Sequence, residues 1–243
     1  MTGLPFLISN FMACFVRSSK QRHKLRGSVN FFLYKRFAAR IVSKIFNTPI
    51  ETVKFVRQHT PSRFVCVVND KYFVKIFKRM SKTKLKNFEF LVNYIIKFMD
   101  VKIPKVYIAN DGHAYITEKI PGVSIYAFEK EFVLKHEEKI LAQVDKIISQ
   151  LQSIDVRKIQ NPKRFCVALE STSKKTKPEP ITDESVLAHL DMNVRNFLFD
   201  EDLNICGLID FDSLCITNNR AKDKEIFTKY WERYKKSTRK HPL

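Results

Sequence analysis

The apolar pattern of the chain changes character at Pro121-Gly122, and this change constrains the fold more than any other feature of the sequence. Before the break, apolar and polar residues alternate in short runs, which indicates half-buried β-strands. After it, apolar residues recur at spacings of three and four, which indicates helices. The sequence therefore predicts a bilobal α+β protein, with a small antiparallel-sheet N-lobe at residues 47–121 and a mainly helical C-lobe at residues 122–243.

The N-lobe is predicted to hold five strands and one helix. Asn69-Asp70 favours a tight hairpin turn between the second and third strands. The helix is predicted over residues 82–99, and Pro104 prevents its continuation. The strands are predicted at Glu51–Arg57, Arg63–Val68, Tyr72–Phe77, Val106–Ala109 and Ala114–Glu118.

The C-lobe is predicted to combine two helices with short strands. A polar stretch, residues 171–180, predicts a loop between them. The helices are predicted at Phe132–Ile154 and Ala221–Lys235, and the strands at Val186–His189, Phe197–Asp200 and Ile205–Ile209.

Composition excludes several classes of protein. With 44% hydrophobic and 28% charged residues, the chain has the values of a folded globular protein rather than a disordered or collagen-like one. Its five cysteines contain no C-x-x-C pair, which favours free thiols in a reducing compartment, here the cytoplasm. Only five of the 243 residues are glycine, so a Gly-rich phosphate-binding loop is excluded. No apolar run reaches the roughly 20 residues of a membrane-spanning helix.

Positive charge is concentrated at the start of the chain. The net charge is +19, and residues 1–50 hold nine basic residues and no acidic one. Residues 17–28 are predicted to be a loop or a frayed start, and residues 29–46 an amphipathic helix that completes an N-terminal extension, 1–46. The apolar face of this helix would be Phe32, Phe37, Ile41 and Ile45. The simplest interpretation is a basic-faced helix packed on the domain. A helix lying on anionic membrane, a nucleic-acid contact and an organellar transit peptide are the alternatives.

A short polar motif in the C-lobe carries the chemistry. His189, Asp191 and Asn196 follow the pattern H-x-D-x4-N, and Asp210 begins an Asp-Phe pair after a β-branched strand. A charged residue at such a place is costly unless it binds something. Two carboxylates and an amide suit a hard cation such as Mg²⁺, in the arrangement of phosphoryl transfer. One Asp would then act on the attacking hydroxyl, while Asn196 and the other Asp hold the metal. His189 would orient the loop.

Two residues of the N-lobe complete the pattern of a kinase. Such a site needs a Lys on the third strand and a Glu on the following helix. Lys75 lies on the predicted third strand, and Glu89 is the acidic residue of the helix at 82–99. The order of these residues along the chain predicts phosphoryl transfer more strongly than any one of them does.

With these motifs, residues 50–236 resemble the protein-kinase-like phosphotransferases of small molecules, the group that contains aminoglycoside and choline kinases. Within that group the chain is similar to short bacterial lipopolysaccharide core kinases, which phosphorylate heptose or Kdo. Tyr72-Phe-Val-Lys-Ile-Phe and Ile209-Asp-Phe-Asp-Ser-Leu-Cys carry this similarity. The resemblance implies a protein-kinase-like fold and an enzyme that transfers the γ-phosphate of ATP, with Mg²⁺, to an alcohol group. The acceptor would be a sugar of the lipopolysaccharide core or a similar glycan.

The resemblance also implies a role for each site residue. Asp191 would be the catalytic Asp, and Asn196 and Asp210 would bind the metal. Lys75 would bind the α- and β-phosphates, and Glu89 would hold Lys75. The remaining nucleotide-binding residues would be Ser62 in the first loop and the hinge residues Thr117, Glu118, Lys119 and Ile120, whose backbone reads adenine.

Some features depart from the family pattern and leave alternatives open. Asp212 stands where protein kinases have glycine, and no A-P-E motif follows, which argues against a regulated protein kinase. The segment 158–184 falls where aminoglycoside and choline kinases insert substrate-binding structure. An aminoglycoside- or choline-type kinase, a serine/threonine kinase and a non-catalytic basic adaptor for membrane or nucleic acid remain as alternatives. A lipid-linked acceptor would bring the protein to the inner face of the membrane.

Overall fold

The first sheet turns at Asn69-Asp70, where the sequence predicts a hairpin. The computed structural model describes residues 19–60, 63–77, 80–109, 112–169 and 179–237. Both turn residues have positive φ angles, 53° and 51°, a conformation that Asn and Asp tolerate better than most residues. The turn joins β2 (Arg63–Val68) to β3 (Tyr72–Phe77), and both strands have the predicted bounds.

Five antiparallel strands form this sheet in the order β1-β2-β3-β5-β4. The three further strands are β1 (Val53–Thr60), β4 (Val106–Ile108) and β5 (Ala114–Glu118). β5 has the predicted bounds, and β4 ends one residue early. β1 begins two residues later than the predicted strand, which starts at Glu51, and ends three residues later, at Thr60.

The side chain of Asn69 explains where β1 begins. Its Oδ1 accepts the backbone N–H groups of Glu51 at 2.9 Å and Thr52 at 3.2 Å. Its Nδ2 donates to the carbonyl of Pro49 at 2.7 Å. These side-chain bonds satisfy backbone groups that a strand would otherwise pair across the ladder. The hairpin residue therefore fixes the segment that enters the sheet as well as the turn.

A 28-residue helix, α1 (Ser19–Phe46), packs against this sheet. The Tyr34 ring stacks on the Phe64 ring of β2 with a centroid distance of 4.0 Å. The residues of the shared core include Tyr34, Ala38, Ile41, Val42, Phe64, Cys66, Val68 and Val74. The helix is therefore part of the hydrophobic core of the sheet and is no separate appendage.

The prediction that residues 17–28 form a loop or a frayed start is wrong for residues 19–28, because α1 begins at Ser19. This stretch lacks an apolar period, so its pattern gives no indication of a helix. Its Lys, Arg and Gln residues are good helix formers, however, and no proline interrupts them. Adding turns to an existing helix avoids the cost of nucleation.

Most of the predicted apolar face of α1 contacts the sheet. Ile41 is 8% exposed, and Phe37 and Ile45 pack partly buried against the core. Phe32 is the exception, with 57% of its surface exposed. The interpretation of α1 as a helix packed on the domain is confirmed.

Backbone contacts divide the chain into two units. The first contains the chain up to Glu89 together with Val106–Lys119, and the second contains Phe90–Lys105 and everything from Ile120 onward. The helix α2 (Lys82–Ile95) therefore contributes residues to both units, and a single 3-10 turn follows it.

The second unit combines helices with two small sheets. β6, β8 and β9 form one sheet, and β7 pairs with β10 in the other. Its helices are α3 (Lys130–Lys135), α4 (Glu137–Ser153) and α5 (Lys222–Lys236). Its strands are β6 (Val123–Ser124), β7 (Val186–Ala188), β8 (Phe197–Phe199), β9 (Ile205–Leu208) and β10 (Cys215–Thr217). Sequence periodicity did not predict β6 and β10, because strands of two and three residues are too short to show alternation.

The predicted helix at Phe132–Ile154 is interrupted at His136. This residue has φ −107° and ψ 20°, outside the helical range, and separates α3 from α4. Its ring Nδ1 lies 2.8 Å from the carbonyl oxygen of Phe132, within α3. The apolar spacing runs through the break, so the pattern alone predicts one helix where there are two.

Within the described residues, no helix is both long and apolar enough to cross a membrane. Four cysteines lie in this part of the chain, namely Cys66, Cys166, Cys206 and Cys215, and all four are free thiols. Most of the loop predicted at residues 171–180 lies outside the described residues.

We expect Ala38→Asp to lower the free energy of unfolding by about 3 kcal/mol or more, because it places an unpaired charge in the core. Ala38 is fully buried against the sheet, whereas its neighbour Ala39 is only half-buried. Ala39→Asp is therefore the matched control, with an expected loss below about 1 kcal/mol. Urea unfolding of both variants measures the difference. Equal losses would show that α1 is not part of the core.

Candidate active site

The amide of Asn196 organises the loop of the H-x-D-x4-N motif. Its Nδ2 donates to the main-chain carbonyl of Asp191 at 2.8 Å and to the Oδ2 of the same residue at 3.2 Å. Asn196 is 8% exposed and ends a 3-10 turn, Val194–Asn196. The side chain of Asn193 caps this turn by accepting the N–H of Arg195 at 3.1 Å. The side chain of Asn196 is thus in direct contact with Asp191.

The segment that carries Asp210 is bonded to the same loop. The N–H of Ile209 donates to the carbonyl of Asn196 at 2.9 Å. Asp210 itself has φ 64° and ψ 58°, in the left-handed region. A non-glycine residue in this region is uncommon, and such residues cluster at functional sites. The second unit therefore brings the segments of Asp191, Asn196 and Asp210 together, as the motif predicts.

His189 links the two segments, in the structural role predicted for it. It is fully buried, and its ring lies against Phe211 with a centroid distance of 4.6 Å. Its Nδ1 lies 3.3 Å from the backbone nitrogen of Asp191. Nε2 lies 3.1 Å from the carbonyl oxygen of Ile209 and can donate to it.

A buried carboxylate, which the sequence analysis missed, holds this loop from α5. Asp223 is 0% exposed, and its two oxygens accept the N–H groups of His189 and Leu190, each at 2.8 Å. Leu190 has φ 57°, another left-handed conformation. Burial is the largest influence on the Asp223 carboxyl and raises its pKa, while His189 and the two N–H donors oppose the shift. One indication was available in the sequence: Asp223 precedes Phe227 and Trp231 by four and eight residues, on the buried face of α5.

An exposed arginine, also missed, lies next to Asn196. The guanidinium carbon of Arg195 is 5.6 Å from the ring centroid of Tyr126. The Tyr126 ring packs edge-on against Tyr234, with a centroid distance of 5.4 Å. A cation over an aromatic face is attracted to the ring quadrupole. This contact restricts a positive charge to the neighbourhood of the loop.

Lys75 and Glu89 lie in the first unit. Lys75 stands on β3 opposite Val65 and Tyr115, and its Nζ is 5.6 Å from the Tyr115 ring centroid. Glu89 lies on α2, and its Oε1 accepts the N–H of Ile108 in β4 at 3.1 Å. This bond fixes α2 against the sheet. The ion pair predicted between Lys75 and Glu89 stays a prediction.

The predicted hinge spans the end of the first unit and the start of the second. Thr117 and Glu118 end β5, and the N–H of Lys119 donates to the carbonyl of Lys71 at 2.7 Å. Ile120 begins the second segment of the second unit, where it contacts Gly207. Their adenine-binding role stays a prediction. Ser62 lies outside the described residues.

The oxygen donors of the loop suit a magnesium ion. Both contacts of the Asn196 amide nitrogen go to Asp191, which leaves the amide Oδ1 as the donor atom for a cation. Asp210 adds a carboxylate, and hard cations prefer such oxygen ligands. Among the described residues, no group of three or more His, Cys, Asp or Glu side chains could hold a metal ion. A magnesium ion held by Asn196 and Asp210 would keep other ligands, as Mg²⁺ does when it binds nucleotide phosphates.

Comparison with solved structures establishes the fold. Aminoglycoside phosphotransferase APH(2'')-IIa, in a complex with streptomycin and ATP, is 18% identical with a TM-score of 0.56, and the match covers 82% of each chain. ADP-bound aminoglycoside phosphotransferase APH(2'')-Ib is 19% identical with a TM-score of 0.54, and the match covers 82% of each chain. The macrolide 2'-phosphotransferase MphH of Brachybacterium faecium is 13% identical with a TM-score of 0.51, and the match covers 83% of this chain and 82% of that protein. The predicted bilobal α+β protein-kinase-like fold is confirmed.

The sequence comparisons do not assign the chain more narrowly. No protein-family profile and no curated protein matches it. The similarity to lipopolysaccharide core kinases, as a finer assignment within this fold, stays a prediction.

We expect Asp223→Ala to reduce the free energy of unfolding by about 2–5 kcal/mol, because it leaves two buried N–H groups without an acceptor. Asp223→Asn keeps one acceptor oxygen and should lose about half as much. Glu225→Ala, an exposed acid in the same helical turn, is the control and should change stability by less than about 0.5 kcal/mol.

Hydrogen exchange distinguishes loss of these bonds from general destabilisation. In Asp223→Ala the amides of His189 and Leu190 should exchange faster, relative to the amides of α4, than in the parent. Unchanged relative protection of these two amides would contradict the role of Asp223.

Proposed function

We propose that this protein is an ATP- and Mg²⁺-dependent kinase that transfers the γ-phosphate of ATP to an alcohol group. The observation that carries the proposal is the Asn196 amide bonded to the Asp191 carboxylate, with the Asn196 carbonyl tied to Ile209 beside Asp210. This cluster occupies a protein-kinase-like fold. Phosphoryl transfer in such folds relies on positioning and charge stabilisation, which are what this cluster can supply.

In the second unit, Asp191 acts on the acceptor. Its carboxylate orients the attacking hydroxyl and takes up the proton as the new bond to phosphorus forms. The Asn196 amide, which donates to Asp191 Oδ2, keeps that carboxylate in place. Asn196 Oδ1 and the Asp210 carboxylate would hold Mg²⁺, which when bound would neutralise charge on the phosphates.

In the first unit, Lys75 binds the α- and β-phosphates of the nucleotide. Glu89, whose Oε1 accepts the N–H of Ile108 and so fixes α2 on the sheet, would orient Lys75. The backbone of residues 117–120 binds adenine, and Ser62 contacts a phosphate.

The acceptor that fits this chain best is anionic, such as a phosphorylated sugar of the lipopolysaccharide core or a similar glycan. The chain carries a net charge of +19, and the second unit, which holds Asp191, keeps a small excess of 24 basic over 20 acidic residues. Both disfavour a polycation such as an aminoglycoside and favour an anion. Arg195, held over Tyr126 and adjacent to Asn196, can pair with a phosphate or carboxylate of the acceptor.

Other acceptors have weaker support. The similar solved structures favour an aminoglycoside-type small-molecule kinase, but the charge of this chain opposes a cationic acceptor such as an aminoglycoside or choline. The assignment as a serine/threonine kinase is less well supported, because this chain has Asp212 in place of the glycine of the Asp-Phe-Gly motif. A non-catalytic adaptor has no use for the cluster of Asp191, Asn196 and Asp210. We place the enzyme in the cytoplasm, where a lipid-linked acceptor would be reached at the inner face of the membrane.

The catalytic assignment predicts that Asp191→Ala lowers turnover by roughly 10²–10⁴-fold while the affinity for Mg-ATP stays close to that of the parent. Asp210→Ala should instead weaken the binding of Mg-ATP, because the metal bridges its phosphates. Calorimetric titration with Mg-ATP measures binding, and transfer of labelled γ-phosphate from ATP to the acceptor, with formation of ADP, measures turnover. Unchanged turnover in Asp191→Ala would remove this residue from the reaction.

The acceptor assignment predicts that Arg195→Gln raises the KM for a phosphorylated core oligosaccharide by roughly 10–100-fold, because a charge-assisted bond is lost. The KM for ATP should not change. Lys229→Gln, which removes an exposed charge from α5, is the matched control. Parallel assays with core oligosaccharide, aminoglycoside, choline and mixed proteins identify the acceptor. Preference of the parent enzyme for the aminoglycoside would contradict an anionic acceptor.

A further inference from the structure

Positive charge is concentrated in the first unit and above all in α1. The segments of the first unit contain 20 basic and five acidic residues, whereas the second unit contains 24 and 20. α1 alone carries eight basic residues and no acidic one over 28 residues. At about 1.5 Å per residue this helix is roughly 40 Å long. It is a long, positively charged element with no acidic side chain of its own to neutralise it.

In the part of α1 whose side chains are described, three of the four basic residues face away from the sheet, while Lys35 is half-buried. Arg36, Arg40 and Lys44 are all exposed, at successive spacings of four residues. The buried residues Tyr34, Ala38 and Val42 occupy the opposite side of the helix. The exposed residues form a row along the outer surface of the helix, which we call the basic row.

Phe32 continues the basic row by one further step of four residues. It is 57% exposed, and the guanidinium carbon of Arg36 lies 5.5 Å from its ring centroid. The sheet covers Ile41 and most of Phe37 and Ile45, but it leaves this ring uncovered. An exposed aromatic ring among arginines and lysines is typical of helices that bind at a membrane interface.

We propose that the basic row, with Phe32, binds the surface of an anionic lipid bilayer, and that α1 thereby holds the first unit at a membrane. The contact uses the charged outer face of the helix, because the apolar inner face is occupied by the sheet. A bilayer accepts both parts of the row, since the charges meet lipid phosphates and the ring enters the interface. This inference is independent of the kinase reaction.

A nucleic-acid partner fits these observations less well. A helix that reads DNA enters a major groove about 12 Å wide. α1 packs with β1, β2 and β3 along its inner side, so it cannot enter such a groove without bringing the sheet with it. A flat surface can contact the whole row at once.

The test is co-sedimentation of the full chain with vesicles. Vesicles of phosphatidylcholine mixed with phosphatidylglycerol should bind the protein at low salt, and vesicles of pure phosphatidylcholine should not. The triple variant Arg36→Gln, Arg40→Gln, Lys44→Gln should lose roughly 10²-fold in partition coefficient. Phe32→Gln should lose about tenfold without any change in charge.

A second triple variant controls for net charge. Lys158→Gln, Lys163→Gln, Lys229→Gln removes three exposed charges from the second unit and should bind anionic vesicles within about threefold of the parent, because these residues lie outside the basic row. Thermal unfolding of all variants checks that they are folded.

The absence of vesicle binding by the parent at low salt would overturn the proposal, and so would equal losses in the two triple variants. Binding of duplex DNA or single-stranded RNA that is lost in the Arg36, Arg40, Lys44 variant, together with no vesicle binding, would assign the row to nucleic acid instead. Mg-ATP binding, measured in parallel, reports on the proposed kinase function separately.

Discussion

The candidate active site depends on one buried carboxylate at the start of the last helix. Asp223 accepts the N–H groups of His189 and Leu190 and so holds Leu190 at a positive φ. The chain that follows this turn carries Asp191 and Asn196, whose side chains bond to each other. A buried charge is tolerated only when its hydrogen bonds are satisfied, and here the loop satisfies them. The loop and α5 therefore stabilise each other, although neither Asp223 nor Leu190 belongs to the motif.

The distribution of charge separates two tasks in the molecule. The second unit, with nearly balanced charge, contains the cluster that we assign to chemistry. The first unit carries most of the positive charge, and α1 places part of it on an outward-facing row. Because the opposite face of α1 is part of the sheet core, the charged surface and the proposed nucleotide-binding sheet are one folded unit. Contact at a surface would then fix the position of that sheet directly.

The fold persists although the identity to the similar solved structures is below 20%. Packing of a core tolerates extensive substitution when volume and pattern are kept, so sequences diverge faster than architecture. This chain combines alternating strands with a Lys on the third strand and a set of polar residues in one loop. Its charge, in contrast, is a property of surface residues and is free to differ with the acceptor.

The sequence by itself determined the local features. Alternation gave the bounds of β2, β3 and β5, and the Asn69-Asp70 pair gave the hairpin, because these depend on residues close in the chain. The spacing of Asp191, Asn196 and Asp210 indicated the site. Only the tertiary structure decided the rest: the start of α1 at Ser19, the break at His136 and the role of Asp223. The start of α1 lies in a stretch without an apolar period, and the break at His136 lies within a continuous apolar spacing. The role of Asp223 depends on contacts with residues more than 30 positions away. Apolar periodicity along the chain therefore indicates none of the three.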